Sequence, residues 1–259
     1  MADEIPLAYD KTTGGTPVGL KEVAPGNQLG YQWLGQPPSY IDGMLMEWVS
    51  GSSVRVTTGA CAIPGVGTVF FSTAITKAGL VLGASTYYHL YAYLNSGSPD
   101  FEISSTAPSA PYSGTARTKN GDTSRRYIGT IKTDASNAVI GFMHSSNNAI
   151  KYTNNVINNL VLSSGAATTA TTVDASIFCP VTARLVDALC YNSSTTAFLF
   201  VSNSEAIPLT TSAYLAACSP ASYLAFDLLL DSLQRFTYLM NAASGGGAFV
   251  RVMGYKFSR

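Results

Sequence analysis

The sequence predicts an all-β protein: two β-sandwich or jelly-roll-like domains preceded by an extended N-terminal arm. Three observations lead to this fold class. Short apolar segments alternate with polar residues at a period of two, which is typical of strands with one buried face. Turn residues separate these segments at short intervals, as they do in β-sandwiches. No segment of ordinary helix length is convincingly helical, and residues 1–38 are dense in glycine and proline.

Residues 1–38 form the predicted arm. Residues that interrupt helices and strands, such as Gly14-Gly15 and Pro37-Pro38, forbid a long helix or strand in this segment. Its apolar residues are nevertheless too many for a simple linker, so we expect them to be buried on a neighbouring subunit or another protein. The predicted attachment residues are Ile5, Leu7, Tyr9, Val18, Leu20, Leu29, Tyr31 and Trp33.

Residues 39–150 form the predicted first β-domain. Its strongest strand signal covers residues 86–94, where tyrosines recur on both faces of the strand. Turn-forming residues at 95–100 are expected to end that strand. Residues 126–132 and 139–144 are predicted to pair as a hairpin, because the loop between them carries residues that suit turns.

Residues 151–259 form the predicted C-terminal β-sandwich domain. Short strand-like segments with turn signals between them continue to the end of this region. We expect the last strand to tie the C-terminus into a sheet. The predicted strands cover residues 156–162, 176–181, 184–191, 197–202, 223–230, 234–240 and 248–257.

Few charges and many hydroxyl groups characterise the composition. Charged residues make up 12% of the chain, about half of the ~25% that is usual in globular domains. The polarity comes from 29 serines and 26 threonines instead. With 15 basic and 15 acidic residues the net charge is zero, which favours association over a free monomer. This balance also argues against nucleic acid as a partner.

The sequence predicts a chain made in the cytoplasm, with free cysteines. Its start lacks the basic and apolar regions of a signal peptide. The most apolar stretch, residues 223–230, is interrupted by Asp227 and is too short to span a membrane. None of the four cysteines forms a C-x-x-C pair, so we expect buried thiols. A bridge between Cys179 and Cys190 is the open alternative.

No motif has the spacing of a catalytic or metal site. His89 and His144 each lie in a predicted strand, without further ligands at metal spacing. The sequence has neither a G-x-S-x-G elbow nor a phosphate-binding loop. Asp100 and Glu102 share one strand face, but a glycosidase pair would need them beside a substrate rather than in solvent. We therefore predict no enzymatic activity, no cofactor and no metal.

One cluster of positive charge lies between residues 117 and 132, with five basic residues against one acidic residue. Such clusters often form a solvated face or ion pairs with nearby acidic residues. The alternative is a subunit interface, because arginine forms two-pronged hydrogen bonds with carboxylates. On that alternative we predict Arg117, Arg125 and Arg126 as subunit-interface residues.

Several segments resemble structural proteins of bacteriophage or prophage virions. Residues 5–14 (IPLAYDKTTG), followed by residues 17–20 (PVGL), are similar to the virion-anchoring starts of such proteins. Further segments resemble, in the same order, a domain of phage tail-associated proteins. They are residues 40–44 (YIDGM), 54–60 (VRVTTGA), 87–91 (YYHLY), 107–112 (APSAPY) and 124–129 (SRRYIG). The resemblance covers about residues 1–150.

The resemblance implies a non-enzymatic component of the tail tip, tail fibre or baseplate. Such a protein is made in the host cytoplasm and becomes part of the virion as a homotrimer, bound to other virion proteins and in contact with a host glycan or protein. Two alternatives stay open. One is a capsid decoration protein that uses the same arm. The other is a carbohydrate-binding or carbohydrate-processing protein, in which exposed tyrosines would form the binding platform.

Overall fold

The computed structural model describes residues 37–153, 159–203, 205, 208–243 and 245–259, together with two short strands of the arm. All regular elements in this part of the chain are strands, which confirms the predicted all-β fold class. No helix in these ranges is long and apolar enough to cross a membrane.

The arm contributes one antiparallel pair of strands, β1 (Leu7–Tyr9) and β2 (Leu20–Glu22). The attachment role of the arm stays a prediction. Three of the predicted attachment residues belong to these strands, namely Leu7, Tyr9 and Leu20. The other five lie outside the described residues: Ile5, Val18, Leu29, Tyr31 and Trp33.

Ten strands follow the arm and form three antiparallel sheets, which we call the N-terminal sheets. They are β3 (Ile41–Gly43), β4 (Met46–Ser50), β5 (Ser53–Val56), β6 (Gly59–Ile63), β7 (Gly67–Phe71), β8 (Ile75–Lys77), β9 (Tyr87–Asn95), β10 (Ser98–Ser104), β11 (Thr118–Lys119) and β12 (Asp122–Lys132). Their orders are β3-β6-β7, β4-β5-β8 and β10-β9-β12-β11.

The tyrosine-rich strand predicted at residues 86–94 is β9, a central strand between β10 and β12. Its middle residues are buried on both faces, so this strand belongs to the core. Tyr91 has no exposed surface and its hydroxyl donates to the carbonyl of Thr106 at 2.7 Å. The turn after β9 is tight because Ser96 and Gly97 both adopt positive φ, which lets β10 begin at Ser98.

Ten further strands form two antiparallel sheets, which we call the C-terminal sheets. They are β13 (Phe142–His144), β14 (Ala149–Tyr152), β15 (Leu160–Gly165), β16 (Thr171–Asp174), β17 (Ala183–Asn192), β18 (Leu199–Ser202), β19 (Ala216–Cys218), β20 (Ser222–Leu229), β21 (Arg235–Met240) and β22 (Ala248–Phe257). One sheet has the order β13-β14-β22-β17-β20, with β15 also paired to β22, and the other has the order β16-β21-β18-β19. Side chains from both sheets share one core, which is consistent with a β-sandwich.

The hairpin predicted from residues 126–132 and 139–144 is wrong. The first segment lies in β12, but the pairing back to it is limited to the bridge between Val139 and Thr133 and to one hydrogen bond, from the Ile140 N–H to the Lys132 carbonyl at 2.9 Å. Residues 142–144 turn away as β13 and pair with β14 in a C-terminal sheet. The loop itself closes as expected, because the Asp134 carboxylate accepts the N–H groups of Ser136 and Ala138 at 2.8 and 3.0 Å.

The strand predicted at residues 176–181 is also wrong, because this segment is a pair of turns. The Asp174 carboxylate accepts the N–H of Ser176 at 2.8 Å. The carbonyl of Ala175 accepts the N–H groups of Phe178 and Cys179, both at 3.0 Å. Pro180 then follows without an N–H to offer a neighbouring strand. The apolar run Ile-Phe-Cys-Pro-Val therefore packs as a turn rather than as a strand.

One apolar core continues through the N-terminal and C-terminal sheets. Hydrogen bonds also join them: the Met46 N–H donates to His144 Nδ1 at 2.9 Å, and the Tyr255 hydroxyl donates to the Thr130 carbonyl at 2.9 Å. Residue 150, where the sequence divides into two predicted domains, lies within β14, which pairs with β22. The division into residues 39–150 and 151–259 stays a prediction.

Candidate functional site

The outward surface of the larger C-terminal sheet is the best candidate for a binding site, and we call it the outer face. Residues alternate along β17, β20 and β22, so every second side chain points away from the core. The opposite side chains, such as Val186, Cys190 and Val250, are fully buried. The outer face consists of Leu185, Asp187, Leu189, Tyr191, Tyr223, Ala225, Asp227, Leu229, Phe249, Arg251, Lys256 and, from β14, Lys151.

Three aromatic rings form a row across this face, which we call the aromatic row. Strand register places Tyr191 between Tyr223 and Phe249. The Tyr191 and Tyr223 ring centroids are 4.4 Å apart with planes inclined by 21°, and the Tyr191 and Phe249 centroids are 5.8 Å apart at 28°. Tyr223 is 66% exposed. Such a row offers apolar area with hydroxyl groups at its margin, which is typical of binding surfaces.

Four charged residues form a second row further along the same strands, which we call the ion-pair row. Asp187 lies directly opposite Asp227, an arrangement that is unfavourable for two negative charges. Lys151 pairs with Asp187, and Lys256 pairs with Asp227 at 2.7 Å, so each carboxylate has its own cation. The row therefore consists of two ion pairs and carries no net charge.

Gly254 makes the ion-pair row possible. It lies in register between Lys151 on β14 and Asp187 on β17. Because glycine has no side chain, the Lys151 side chain can cross β22 and reach the Asp187 carboxylate. A Cβ at this position would lie 2.1 Å from the Ile150 carbonyl oxygen, so the two backbones approach too closely for any other residue.

A cleft of about 340 Å³ lies beside the ion-pair row. Its polar wall includes Ser145, Asn147 and the four charged residues, and its floor includes the buried ring of Tyr255. The volume is at the lower end of the range for ligand pockets. Carboxylates, ammonium groups and an amide at one cleft can bind hydroxyl-rich or backbone-like groups, which offer both donors and acceptors.

The outer face ends at an exposed sheet edge. β20 is the last strand in the order of its sheet, and no other strand in the described ranges pairs with its outer edge. Leu229 at the end of this strand is 48% exposed. An unpaired edge of this length is a template for strand addition by another chain.

Arg125, one of the three predicted interface arginines, forms its contacts within its own sheet. Its Nε lies 3.0 Å from a Glu102 carboxylate oxygen, and its guanidinium lies 3.8 Å from the centroid of the Tyr93 ring. Lys119 binds the same carboxylate. Asp122 lies 3.8 Å from Arg125 as well. Local pairing thus neutralises this part of the positive cluster.

The other two arginines bind backbone carbonyl groups. Arg126 has no exposed surface and donates to the carbonyls of Arg117, Tyr127 and Ser39 at 3.2 to 3.3 Å. Burial lowers the pKa of its guanidinium. Arg117 donates to the Ser109 carbonyl at 2.9 Å. The subunit-interface role of Arg117, Arg125 and Arg126 stays a prediction, and Arg126 could serve it only indirectly, since its side chain lies inside the chain.

His89 is buried and His144 is half-buried, and both are structural residues in the arrangement observed. His89 hydrogen-bonds through Nδ1 with the Thr130 hydroxyl at 2.9 Å, and burial lowers its pKa to about 4. His144 accepts the Met46 N–H, and burial together with the charge of Arg259 lowers its pKa to about 3. Within the ranges that the structure describes, no group of three His, Cys, Asp or Glu residues is close enough to hold a metal ion.

All four cysteines are buried free thiols, and the alternative bridge between Cys179 and Cys190 is not formed. Burial raises the pKa of the Cys61, Cys179 and Cys190 thiols to about 12, so they stay protonated at neutral pH. Such thiols pack as small apolar groups rather than as nucleophiles.

The outer face is a feature that the sequence did not reveal as a site. Tyr191, Tyr223 and Phe249 all lie in correctly predicted strands, but their neighbourhood depends on which strands pair and in which register. No family model matches the chain, and no curated protein matches it. Any functional assignment therefore depends on the geometry described above and on the resemblance of the N-terminal segments.

Proposed function

We propose that the chain is a non-enzymatic structural protein of a bacteriophage virion, a tail-tip or tail-fibre component. In this proposal the N-terminal arm attaches it to other virion proteins, and the outer face contacts a second subunit or the host surface. The observation that carries the proposal is the outer face itself. It combines a partly exposed aromatic row, a neutral ion-pair row and, among the described strands, an unpaired edge strand on one sheet, as binding surfaces do.

Location on the particle tests the proposal directly. Gold-labelled antibody against the chain is applied to particles purified from an induced culture of the source strain. Label on the tails is the expected result. Label on the heads would instead favour the capsid decoration alternative, and absence of the chain from purified particles would contradict both.

Removal of residues 1–38 tests the attachment role of the arm. The core of the described residues begins at Met44, so the shortened chain should retain the circular dichroism spectrum of a β-protein. We expect it to be missing from purified particles while the full chain is incorporated. Normal incorporation of a folded, shortened chain would show that attachment uses another surface.

Oligomeric state tests the role of the outer face. Light scattering of the purified chain should give the mass of a trimer, the state that the resemblance implies. Changing Tyr223 and Leu229 together to Ser removes two exposed apolar side chains of this face and should shift the chain toward monomer. Val81→Ser is the matched control, since Val81 is 98% exposed elsewhere. A wild-type monomer, or an unchanged mass in the double variant, would argue against the outer face as a subunit interface.

Carbohydrate binding is the second candidate function, and one observation favours it. The Tyr223 ring is stacked on Tyr191 through one face and is 66% exposed, and the outer face also borders the polar cleft lined by Asp187 and Asn147. An aromatic face beside carboxylates and amides matches the C–H and O–H groups of a sugar. Binding of the wild-type chain, but not of Tyr223→Ala, on a panel of host-surface glycans would support this function.

A further inference from the structure

Lys132 differs from every other lysine whose side chain the structure describes. The other four are partly exposed and form ion pairs with carboxylates. These pairs are Lys77 with Asp100, Lys119 with Glu102, Lys151 with Asp187, and Lys256 with Asp227. Lys132 is only 6% exposed, and no carboxylate among the described residues lies within 4 Å of its ammonium group. The most buried lysine in this part of the chain is thus the one without a counter-ion.

The immediate surroundings of Lys132 satisfy its ammonium group only in part. Nζ donates one hydrogen bond, to the Ser85 carbonyl at 3.3 Å. It lies 4.4 Å from the centroid of the Tyr87 ring and 5.7 Å from that of Phe178, which provides cation–π attraction. An ammonium group has three N–H donors, so two remain for other acceptors. Burial lowers the pKa of this lysine, as expected for a cation removed from water.

A pocket of about 350 Å³ opens beside Lys132, at the junction of the N-terminal and C-terminal sheets. Its apolar walls are Ile140, Ile177 and Phe178, and its polar wall includes Ser85 and Thr133. Among the described residues that line it, Asp134 is the only acidic one. Its Oδ1 accepts the two N–H groups that close the neighbouring turn, and no carboxylate oxygen of Asp134 lies within 4 Å of the Lys132 ammonium group. The pocket therefore combines one cation that lacks an anion with a mostly apolar wall.

We propose that this pocket binds a small monocarboxylate with an alkyl or aryl body. The carboxylate would accept the two remaining N–H donors of Lys132 and supply the missing negative charge. The body would lie against Ile140, Ile177 and Phe178 and bury apolar surface. The volume lies near the small end of ligand pockets, which limits the body of the ligand to about the size of one aromatic ring. The proposal is independent of the virion role, since it concerns another part of the molecule.

Titration of the full chain with 4-fluorobenzoate, followed by fluorine NMR, tests the proposal. We expect saturable binding with a dissociation constant of about 1 mM or tighter, a strength that small ligands reach. The neutral isostere 4-fluorobenzamide should bind at least about tenfold more weakly, because it lacks the charge that Lys132 attracts. Equal binding of acid and amide, or no saturable binding of the acid, would overturn the proposal.

Variants locate the site. Lys132→Met keeps an unbranched side chain, one atom shorter, and removes the charge, so the acid should bind at least about tenfold more weakly. Lys77→Met is the matched control, because Lys77 is ion-paired outside the pocket, and it should bind like wild type. Ile177→Glu is the second test variant, in case Lys132→Met does not fold. Ile177 is 52% exposed, so the substitution should be tolerated, and the new carboxylate would repel the ligand. Wild-type affinity in folded Lys132→Met or in Ile177→Glu would place the acid elsewhere and overturn the proposal.

Discussion

Arg259 is bound by oxygen atoms from two distant segments of the chain. Its guanidinium donates to the carbonyls of Met44 and Gly43 at 2.9 and 3.0 Å, and its Nε donates to the Asn148 side-chain oxygen at 2.6 Å. Burial, and secondly the charge of Arg126, lower the pKa of Arg259 to about 10, so the group stays protonated at neutral pH. One side chain thereby connects β3 and its neighbouring loop to the C-terminal sheet.

The first prediction concerns the replacement of this residue. Arg259→Ala leaves three buried or partly buried acceptors without a donor and should lower the free energy of unfolding by about 3 kcal/mol. Arg55→Ala is the matched control, because Arg55 pairs with Glu47 on the surface and should cost less than about 1 kcal/mol. Urea denaturation followed by circular dichroism measures both. Similar losses in the two variants would show that the internal bonds of Arg259 contribute little.

The second prediction is a loss of stability in mild acid, caused by the two histidines. Their pKa values of about 4 and 3 in the folded chain lie below the ordinary value of 6.5, so the unfolded chain binds protons first as the pH falls. Their contribution is complete above pH 6.5 and decreases steadily below it. At pH 5 each histidine should cost about 2 kcal/mol relative to pH 7.5.

Urea denaturation at several pH values checks this second prediction. His144→Asn keeps an acceptor for the Met46 N–H but does not titrate, so its stability should fall less between pH 7.5 and 5 than that of wild type. His89→Asn should behave in the same way. A pH dependence identical to that of wild type in both variants would assign the acid sensitivity to the carboxylates.

At the residue scale, the sequence indicated charge but not burial. The sequence showed the positive cluster around Arg126. It left two interpretations open, local ion pairing and a subunit interface. That Arg126 lies inside the chain could not be read from its neighbours, because its acceptors are backbone carbonyls, one of them 87 residues away at Ser39. Every residue has a backbone carbonyl, so the sequence does not indicate which carbonyls accept hydrogen bonds from a given side chain.

At the scale of elements, Gly254 sets the spacing between β14 and β22. Gly254→Ala should lower the free energy of unfolding by about 1–3 kcal/mol, because its Cβ would meet the Ile150 carbonyl oxygen and the strands would have to separate. Gly245→Ala is the control, since a Cβ there has no neighbour within 4 Å. Thermal unfolding of both variants is the measurement. A wild-type melting temperature for Gly254→Ala would mean that the sheet adapts without cost.

Strands with regular alternation were predictable, whereas short apolar runs near turns were not. Residues 248–257 coincide with β22, and their burial alternates except at a register shift beside Gly254, beyond which Tyr255 and Phe257 are buried. The run at residues 176–181 has strand-forming residues, yet the Asp174 side chain and Pro180 fold it into turns. β16 and β19 were missed because their three or four residues offer too little alternation.

At the scale of the whole molecule, pairing between distant strands creates the candidate site. The outer face needs β14, β17, β20 and β22 side by side, although β14 precedes β22 by about a hundred residues. Local patterns predict each strand but carry no information on its partner or register. The fold class could therefore be predicted from the sequence, and the site could not.

The last prediction is that the chain from residue 37 onward unfolds as one cooperative unit. The core is continuous, the C-terminal sheet includes β13 and β14, and the Tyr127 hydroxyl lies 2.9 Å from that of Thr182 across the two groups of sheets. Two domains with their own cores would lack such shared burial. Loss of one group of sheets would expose apolar surface on the other and unfold it as well.

Fluorescence and circular dichroism together check this prediction. In a Trp33→Phe variant, the remaining Trp48 reports on the N-terminal sheets, where its indole N–H donates to the Val139 carbonyl at 3.0 Å. Circular dichroism reports on all strands. The two urea transitions should coincide. Val250→Ala creates a cavity under the C-terminal sheet, so it should shift both transitions to lower urea concentration by the same amount. If Val250→Ala moves the circular dichroism transition and leaves that of Trp48 in place, the sheets unfold separately, and the division near residue 150 describes two independent domains.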